Sequence, residues 1–118
     1  MKNIIYVAHP IRGDIKGNVE KVLAICREVH KAGYIPVAPY LIALQYLDDG
    51  VKEEREMGIE LNQEYLRRGF VNEVWLYGDR ISEGMQSEVA LAIALGIPVV
   101  PKTTPTQQQL IGLIVDSF

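Results

Sequence analysis

Cysteine, histidine and long apolar runs are scarce in this sequence of 118 residues, and each scarcity excludes a class of protein. The single cysteine, Cys26, excludes an internal disulfide, and its place in an apolar helical stripe is typical of a small core residue. The two histidines, His9 and His30, are too far apart for a metal-ligand spacing. No apolar run approaches the roughly 20 residues of a membrane helix, and no signal-peptide pattern follows Lys2. We therefore expect a cytoplasmic protein without a metal or cofactor.

Positive charge is also in the minority. The formal net charge of −3 and the pI near 5.3 argue against nucleic acid polymers and membranes as partners. They do not exclude a small phosphorylated ligand held by one or two basic groups. The composition, 48% hydrophobic and 23% charged, is that of a globular protein, and the length predicts a single domain over residues 1–118.

Short apolar runs of strand-forming residues alternate with amphipathic segments along the whole chain. The predicted strands cover residues 4–8, 34–38, 71–77 and 97–100, and Pro36 favours an edge position for the second. The first predicted helix runs from Asn18, its expected N-cap, to a stop at Gly33. The later helices are predicted over residues 40–47, 51–68, 84–95 and 106–116.

Strands that alternate with helices predict an α/β fold with a parallel sheet and right-handed crossovers. We expect a three-layer sandwich, flavodoxin-like or Rossmann-like, with four to five strands. In such sheets ligands bind beyond the carboxyl ends of the strands, where the strand order reverses. The loops over residues 9–17 and 78–87, which follow the first and third strands, are therefore expected to face each other.

The second of these loops leads into a helix that begins at Ser82 or Gly84, and free backbone N–H groups at such a helix start attract anions. Glu88 follows within the first turns and is succeeded by apolar residues, so its carboxylate enters a buried surface. That placement indicates either a functional carboxylate or an early-helix glutamate stabilised by the helix dipole.

The first strand and the loop after it contain four residues of types that bind or react. Tyr6, inside the first strand, can present a phenol to the floor of a site or be an ordinary buried aromatic. Arg12 and Gly13 together suit an oxyanion or phosphate, although a solvated loop arginine fits equally. His9 can act as a general acid, stack on a base or hydrogen-bond at the strand end. Neither the phosphate-binding motif GxxxxGK[ST] nor the dinucleotide motif GxGxxG is present.

Taken together, the stretches YVAHPIRGD (residues 6–14) and GDRISEGMQSEVALAIALGIPVV (residues 78–100) resemble the nucleoside 2-deoxyribosyltransferase superfamily. The similarity is greatest to its small bacterial and phage branch, and it extends to the 2′-deoxynucleoside 5′-monophosphate N-hydrolases. It covers most of residues 3–101. The resemblance implies the same fold and an enzyme that acts on an N-glycosidic bond.

The resemblance also implies roles for particular residues. The nucleophilic glutamate of the superfamily falls on Glu88, and the tyrosine that hydrogen-bonds it falls on Tyr6. The positions that help to bind a 5′-phosphate in the monophosphate hydrolases fall on Ile11, Arg12, Gly13 and Ser82, with Ser87 as a further candidate. His9, Gly84 and Met85 of the same two loops are also expected to bind the substrate. The match departs from the superfamily in one respect: residues 51–72 contain glutamates but none of the aspartates that handle the base.

Two functions therefore follow from the sequence. The first is cleavage or transfer of the N-glycosidic bond of a nucleoside or nucleoside 5′-monophosphate through a glutamate nucleophile. The second is a non-catalytic protein that binds a nucleotide-derived signal. A phosphoribohydrolase related to cytokinin activation is disfavoured because its Pro-Gly-Gly-x-Gly-Thr turn is not present. The resemblance further implies a homo-oligomer, with residues 40–47 and the C-terminal end, Asp116 to Phe118, as interface candidates.

Overall fold

A computed structural model describes residues 1–116 of the chain, which form four strands and five helices, with two helices in succession between the second and third strands. The strands are β1 (Ile4–Ala8), β2 (Ile35–Val37), β3 (Glu73–Leu76) and β4 (Val99–Pro101). The helices are α1 (Ile15–Lys31), α2 (Tyr40–Tyr46), α3 (Lys52–Arg67), α4 (Glu83–Ala94) and α5 (Thr104–Asp116). Ser117 and Phe118, part of one predicted interface, lie outside the described residues.

The four strands form one parallel sheet in the order β2-β1-β3-β4, which confirms the predicted α/β fold and is compatible with a three-layer flavodoxin-like sandwich. The register pairs Tyr6 of β1 with Val37 on one side and Val74 on the other. Pro36 lies on the edge strand β2, as predicted, where its missing N–H leaves no central ladder position unpaired.

Strand β1 is apolar throughout because it lies inside the sheet and is covered on both faces. Residues 5–8 are fully buried, and they pack with Val22 and Val29 of α1 and with Leu66 of α3 in the main core. Cys26, predicted to be a core residue, is half-buried and packs against this core, and burial raises the pKa of its thiol.

The start of α1 differs from the prediction. Asp14, not Asn18, is the N-cap, because its carboxylate accepts a hydrogen bond from the Gly17 N–H at 3.1 Å. Asn18 lies within the first turn, and its amide donates to the carbonyl of Ile11 at 2.9 Å. Asn18 therefore binds the loop after β1 to the helix and does not cap the start of the helix. At the other end, Gly33 follows the helix with a φ of 101°, as a predicted stop should.

The strand order reverses between β1 and β3. The chain leaves β1 toward β2 on one side, whereas it leaves β3 toward β4 on the other, so the loops after β1 and β3 diverge above the same edge. The Tyr77 N–H donates to the Ala8 carbonyl at 2.9 Å, which joins the ends of the two strands, and the loops that follow meet where Pro10 lies against Gly78, as predicted. Among the described residues, no helix combines the length and apolar character that a membrane crossing needs.

Candidate active site

A cavity of about 360 Å³ opens at this reversal point. Its walls come from the loop after β1, from α2 and the loop that follows it, from α3, and from the first turns of α4. The volume lies within the range of small-molecule sites, and the position is the one that parallel sheets use for ligands.

Gly78 allows the two loops to approach closely. Its φ is 95°, a left-handed conformation that side-chain-bearing residues rarely adopt. A Cβ at this position would lie 2.6 Å from Pro10 Cδ and 3.5 Å from His9 Nε2. The close contact holds the loop after β3 directly against His9 and Pro10, so the backbone of Gly78 fixes one wall of the cavity.

Helix α4 begins at the rim of the cavity. Ser82 is its N-cap, and the hydroxyl accepts a hydrogen bond from the Met85 N–H at 3.3 Å. Glu83 and Gly84, in the first turn, line the cavity together with Ser87. Because the first N–H groups of a helix have no partners within it, this helix start offers hydrogen-bond donors at the rim of the cavity.

Glu88 lies one and a half turns further into α4 and lines the cavity. Its Oε2 is buried and has no hydrogen-bond partner, and the same holds for the hydroxyl of Tyr6. Burial raises the pKa of the Glu88 carboxyl to about 7, and the adjacent Tyr6 hydroxyl opposes part of this rise. The two groups are thus close enough to influence each other, although neither meets hydrogen-bond geometry. Burial, with the nearby Glu88, also raises the pKa of Tyr6 well above its usual value.

Tyr40, which the sequence analysis did not select, forms the wall beside this pair. Its hydroxyl donates to the Val7 carbonyl at 2.6 Å, and its ring centroid lies 6.4 Å from that of Tyr6. Burial, with Glu88 nearby, raises the pKa of its phenol. The residue follows the carboxyl end of β2, so the rule that ligands bind at that edge of the sheet was the feature that could have identified it.

His9 is a neutral hydrogen-bond acceptor at the cavity wall. Its Nδ1 lies 2.6 Å from the Pro10 carbonyl, which only accepts, so Nδ1 carries the ring proton. Burial lowers the pKa of the imidazole, with smaller contributions from Lys21 and Arg80 in the same direction and from Asp79 in the opposite one. The unprotonated Nε2 is therefore free to accept a hydrogen bond.

Arg12 forms an ion pair across the cavity mouth. Its Nε lies 3.7 Å from Asp49 Oδ2, and the two side chains are 67% and 21% exposed. Asp49 belongs to the loop between α2 and α3 and lies between the two helices predicted over residues 40–47 and 51–68. No local pattern marks it as a site residue, because its proximity to Arg12 arises only from the tertiary fold.

Asn62, on the carboxylate-rich helix α3, contributes a second unpartnered acceptor. Its Oδ1 is buried without a hydrogen-bond partner, and the residue lines the cavity with Ile59, one helical turn earlier. An unsatisfied buried acceptor costs about 1–3 kcal/mol. This acceptor is available to a ligand in the cavity, and the sequence did not reveal it because Asn62 belongs to no recognised motif.

The structure brings together most of the residues predicted from the sequence. His9, Ile11, Arg12, Ser82, Gly84, Met85 and Glu88 line one cavity, and Tyr6 lies in the core beside Glu88. Gly13 is different: it is exposed, its φ is 98°, and it does not line the cavity. Its role is to permit the turn before α1, since a left-handed φ requires glycine.

Comparison with known proteins gives a family without a described activity. A family model described as a domain of unknown function (DUF7768) matches residues 3–102. No curated protein matches the sequence.

Within residues 1–116, no group of three or more histidine, cysteine, aspartate or glutamate side chains is arranged to hold a metal ion.

Proposed function

The chain belongs to the DUF7768 family, and from the geometry of its site we propose that it cleaves or transfers the N-glycosidic bond of a nucleoside or nucleoside 5′-monophosphate. The observation that carries this proposal is Glu88: a cavity carboxyl with a buried, unpartnered oxygen beside the Tyr6 hydroxyl. A buried carboxyl without a partner destabilises the fold, which is typical of groups retained for catalysis. The resemblance of the sequence to the nucleoside 2-deoxyribosyltransferase superfamily supports the same assignment.

The proposed reaction follows from the chemistry of the acetal carbon. The ionised carboxylate of Glu88 attacks C1′ of the sugar, and a C–O bond forms as the C–N bond to the base breaks. The electron pair of that bond leaves with the base, which takes a proton from solvent if it leaves as an anion. Water or a second base then displaces Glu88 from C1′, which gives hydrolysis or transfer.

Tyr6 positions and tunes the nucleophile in this proposal. Because its hydroxyl lowers the pKa of Glu88, it raises the fraction of reactive carboxylate at neutral pH. The free N–H groups at the start of α4 and the Arg12 side chain are suited to the 5′ end of the sugar. His9 Nε2 can accept a hydrogen bond from a hydroxyl in the same region.

The first test is a panel of nucleosides, deoxynucleosides and their 5′-monophosphates, incubated with the protein and analysed by chromatography for free base. Release of base from any member supports the proposal of an enzyme.

The second candidate, a non-catalytic nucleotide-binding protein, is favoured by one observation. Helix α3 contributes the amide of Asn62 to the cavity wall, and an amide cannot protonate a base as a carboxylic acid could. Binding of a nucleotide without any release of base would favour that candidate.

Replacing Tyr6 with phenylalanine should shift the pH dependence of the reaction. The rising limb of kcat/KM is expected near pH 7 in the wild type, since Glu88 must be ionised to attack. Removal of the hydroxyl removes the interaction that lowers the pKa of Glu88, so the midpoint should rise by about 0.5–1 pH unit. The measurement is a pH profile, with Tyr46→Phe on the exposed face of α2 as the control. An unchanged midpoint would contradict the tuning role.

Arg12→Ala tests whether the 5′ end carries a phosphate. Loss of a charged contact should raise KM for monophosphates by about tenfold or more and leave the values for nucleosides within about twofold. Arg68→Ala, at the exposed C-cap position that follows α3, is the matched control. Equal losses for both substrate types would show that Arg12 does not bind a phosphate.

We also propose that the protein is a homo-oligomer, as the sequence resemblance implies. Helix α2 buries Tyr40 and Ala43 against its own domain, whereas Ile42 and Tyr46 are 69% and 64% exposed. Light scattering at concentrations of about 100 μM, where weak assemblies form, should give a mass above 13.2 kDa. A monomer at that concentration would contradict the proposal.

A further inference from the structure

The buried side-chain atoms that line the cavity without a hydrogen-bond partner are acceptors. The two buried cavity atoms without partners, Glu88 Oε2 and Asn62 Oδ1, are both oxygens that accept. The second ring nitrogen of His9, Nε2, is a further acceptor in a residue that lines the cavity, because Nδ1 holds the proton. A ligand that satisfies this interior must therefore supply donors or positive charge.

The charge of the cavity points in the same direction. Among the described residues that line it, five carry carboxyl groups and two carry guanidinium groups: Asp49, Glu54, Glu56, Glu83 and Glu88 against Arg12 and Arg55. The pair of Arg12 and Asp49 neutralises one charge of each sign. Apart from Glu88, the remaining carboxylates Glu54, Glu56 and Glu83 outnumber Arg55, which leaves a negative potential that attracts cations.

Two neutral groups at the cavity wall that could protonate a leaving base are occupied. The Tyr40 hydroxyl donates to the Val7 carbonyl, and the ring N–H of His9 donates to the Pro10 carbonyl. Asp49 pairs with Arg12, and Glu54 accepts a hydrogen bond from the Asp48 N–H at 3.2 Å. Neither the Tyr40 hydroxyl nor the His9 ring N–H is therefore free to give a proton to a base that leaves as an anion.

These observations converge on one class of substrate. We propose that the site cleaves an N-glycoside whose base carries a positive charge, such as a pyridinium or an N-alkylated purine. This inference rests on the proposed function and specifies its substrate. When Glu88 attacks C1′ of such a compound, the electron pair of the broken C–N bond neutralises the charged ring. The base leaves as a neutral molecule, and no proton donor is required.

The acceptors of the cavity suit such a ligand. The carboxylates of α3 and α4 offset the positive charge of the base before it leaves. Asn62 Oδ1 accepts a hydrogen bond from an amide or amino group on the ring. Loss of the positive charge on cleavage then weakens binding of the product, which favours its release.

The test compares nicotinamide riboside, a permanent pyridinium cation, with cytidine, a neutral nucleoside with a six-membered base. Because a pyridinium is also the better leaving group, the comparison uses binding as well as turnover. In the inactive variant Glu88→Gln, nicotinamide riboside should bind at least about tenfold more tightly than cytidine at low ionic strength. The ratio should shrink in about 0.5 M salt because screening weakens the attraction.

Charge variants then separate this proposal from simple reactivity. Glu54→Gln combined with Glu56→Gln should lower kcat/KM for nicotinamide riboside by about fivefold or more and leave that for cytidine nearly unchanged. Glu60→Gln, on the same helix but outside the cavity, is the control and should change neither value. Unfolding temperatures are measured so that only folded variants are compared. Glu83→Gln removes a cavity carboxylate on a different helix, α4, and so tests the same expectation independently.

The possible outcomes are distinct. Tight, salt-sensitive binding of the cation, together with a loss confined to the cation in the double variant, supports the proposal. Equal binding of the two compounds, or equal losses in the double variant, overturns it while base release still upholds the proposed function. If neither compound nor any other nucleoside releases its base, the proposed function fails and this inference fails with it.

Discussion

Replacing Glu88 with glutamine is expected to reduce base release by about 10³-fold or more. Glutamine has nearly the same shape, but its amide oxygen is a poor nucleophile and its nitrogen cannot stabilise a cationic C1′. In other enzymes, removal of the nucleophile costs about 10³–10⁶ in kcat. Single-turnover measurements on the best substrate of the panel will give the size of the loss.

The binding of substrate should survive this change. Glu88→Gln keeps the volume of the side chain, so the dissociation constant of a neutral nucleoside should stay within about threefold. Glu60→Gln, an exposed glutamate of α3 outside the cavity, should retain wild-type turnover. Residual turnover above about one tenth of the wild-type value in Glu88→Gln would remove Glu88 from the catalytic role.

The same substitution should make the protein more stable at alkaline pH. The pKa of Glu88 rises from 4.5 to about 7 on folding, so the native state holds the proton more tightly than the unfolded state. Below pH 4.5 both states are protonated and no cost arises. As the pH rises from 4.5 to 7, the unfolded state ionises first, and the protein should lose about 2–3 kcal/mol of stability.

Urea denaturation at pH 5 and pH 8 measures this effect directly. The wild type should lose about 2–3 kcal/mol more between the two pH values than Glu88→Gln, and the variant should be the more stable protein at pH 8. Glu60→Gln should follow the wild type. Parallel pH profiles for wild type and Glu88→Gln would show that the carboxyl is not perturbed by burial.

The two effects have a common cause. Burial makes the Glu88 carboxyl costly to ionise. The same buried position leaves its Oε2 without a protein partner, so this oxygen is available to a substrate. The ionised Glu88 therefore lowers the free energy of unfolding at the position where a nucleophile is needed. Such a trade-off between stability and activity is common in enzymes.

The sequence predicted the fold because local patterns determined it. The continuous apolar run of β1 is what a central strand covered on both faces requires, and Pro36 could only lie on an edge. Element ends were less predictable. Asp14 and Asn18 are both good N-caps, and only the tertiary loop geometry decides that Asn18 bonds to Ile11 instead.

The candidate site was predictable in part for the same reason. The loops after β1 and β3 meet at the reversal of strand order, a general rule that brought His9, Arg12 and Glu88 into one cavity. The contributions of α2 and α3 were not predictable. Asp49 and Asn62 reach the cavity through helix packing, which leaves no pattern in the local sequence.

The central claim, that Glu88 attacks C1′, can be tested most directly by mass spectrometry of protein quenched with acid during turnover. A substrate with fluorine at C2′ slows both steps, because fluorine destabilises positive charge at C1′, and so allows the intermediate to accumulate. We predict a protein whose mass is increased by one glycosyl group, located by peptide mapping on Glu88 and lacking in Glu88→Gln. Release of base by a protein that never carries the glycosyl group, or a glycosyl group on another residue, would contradict the mechanism.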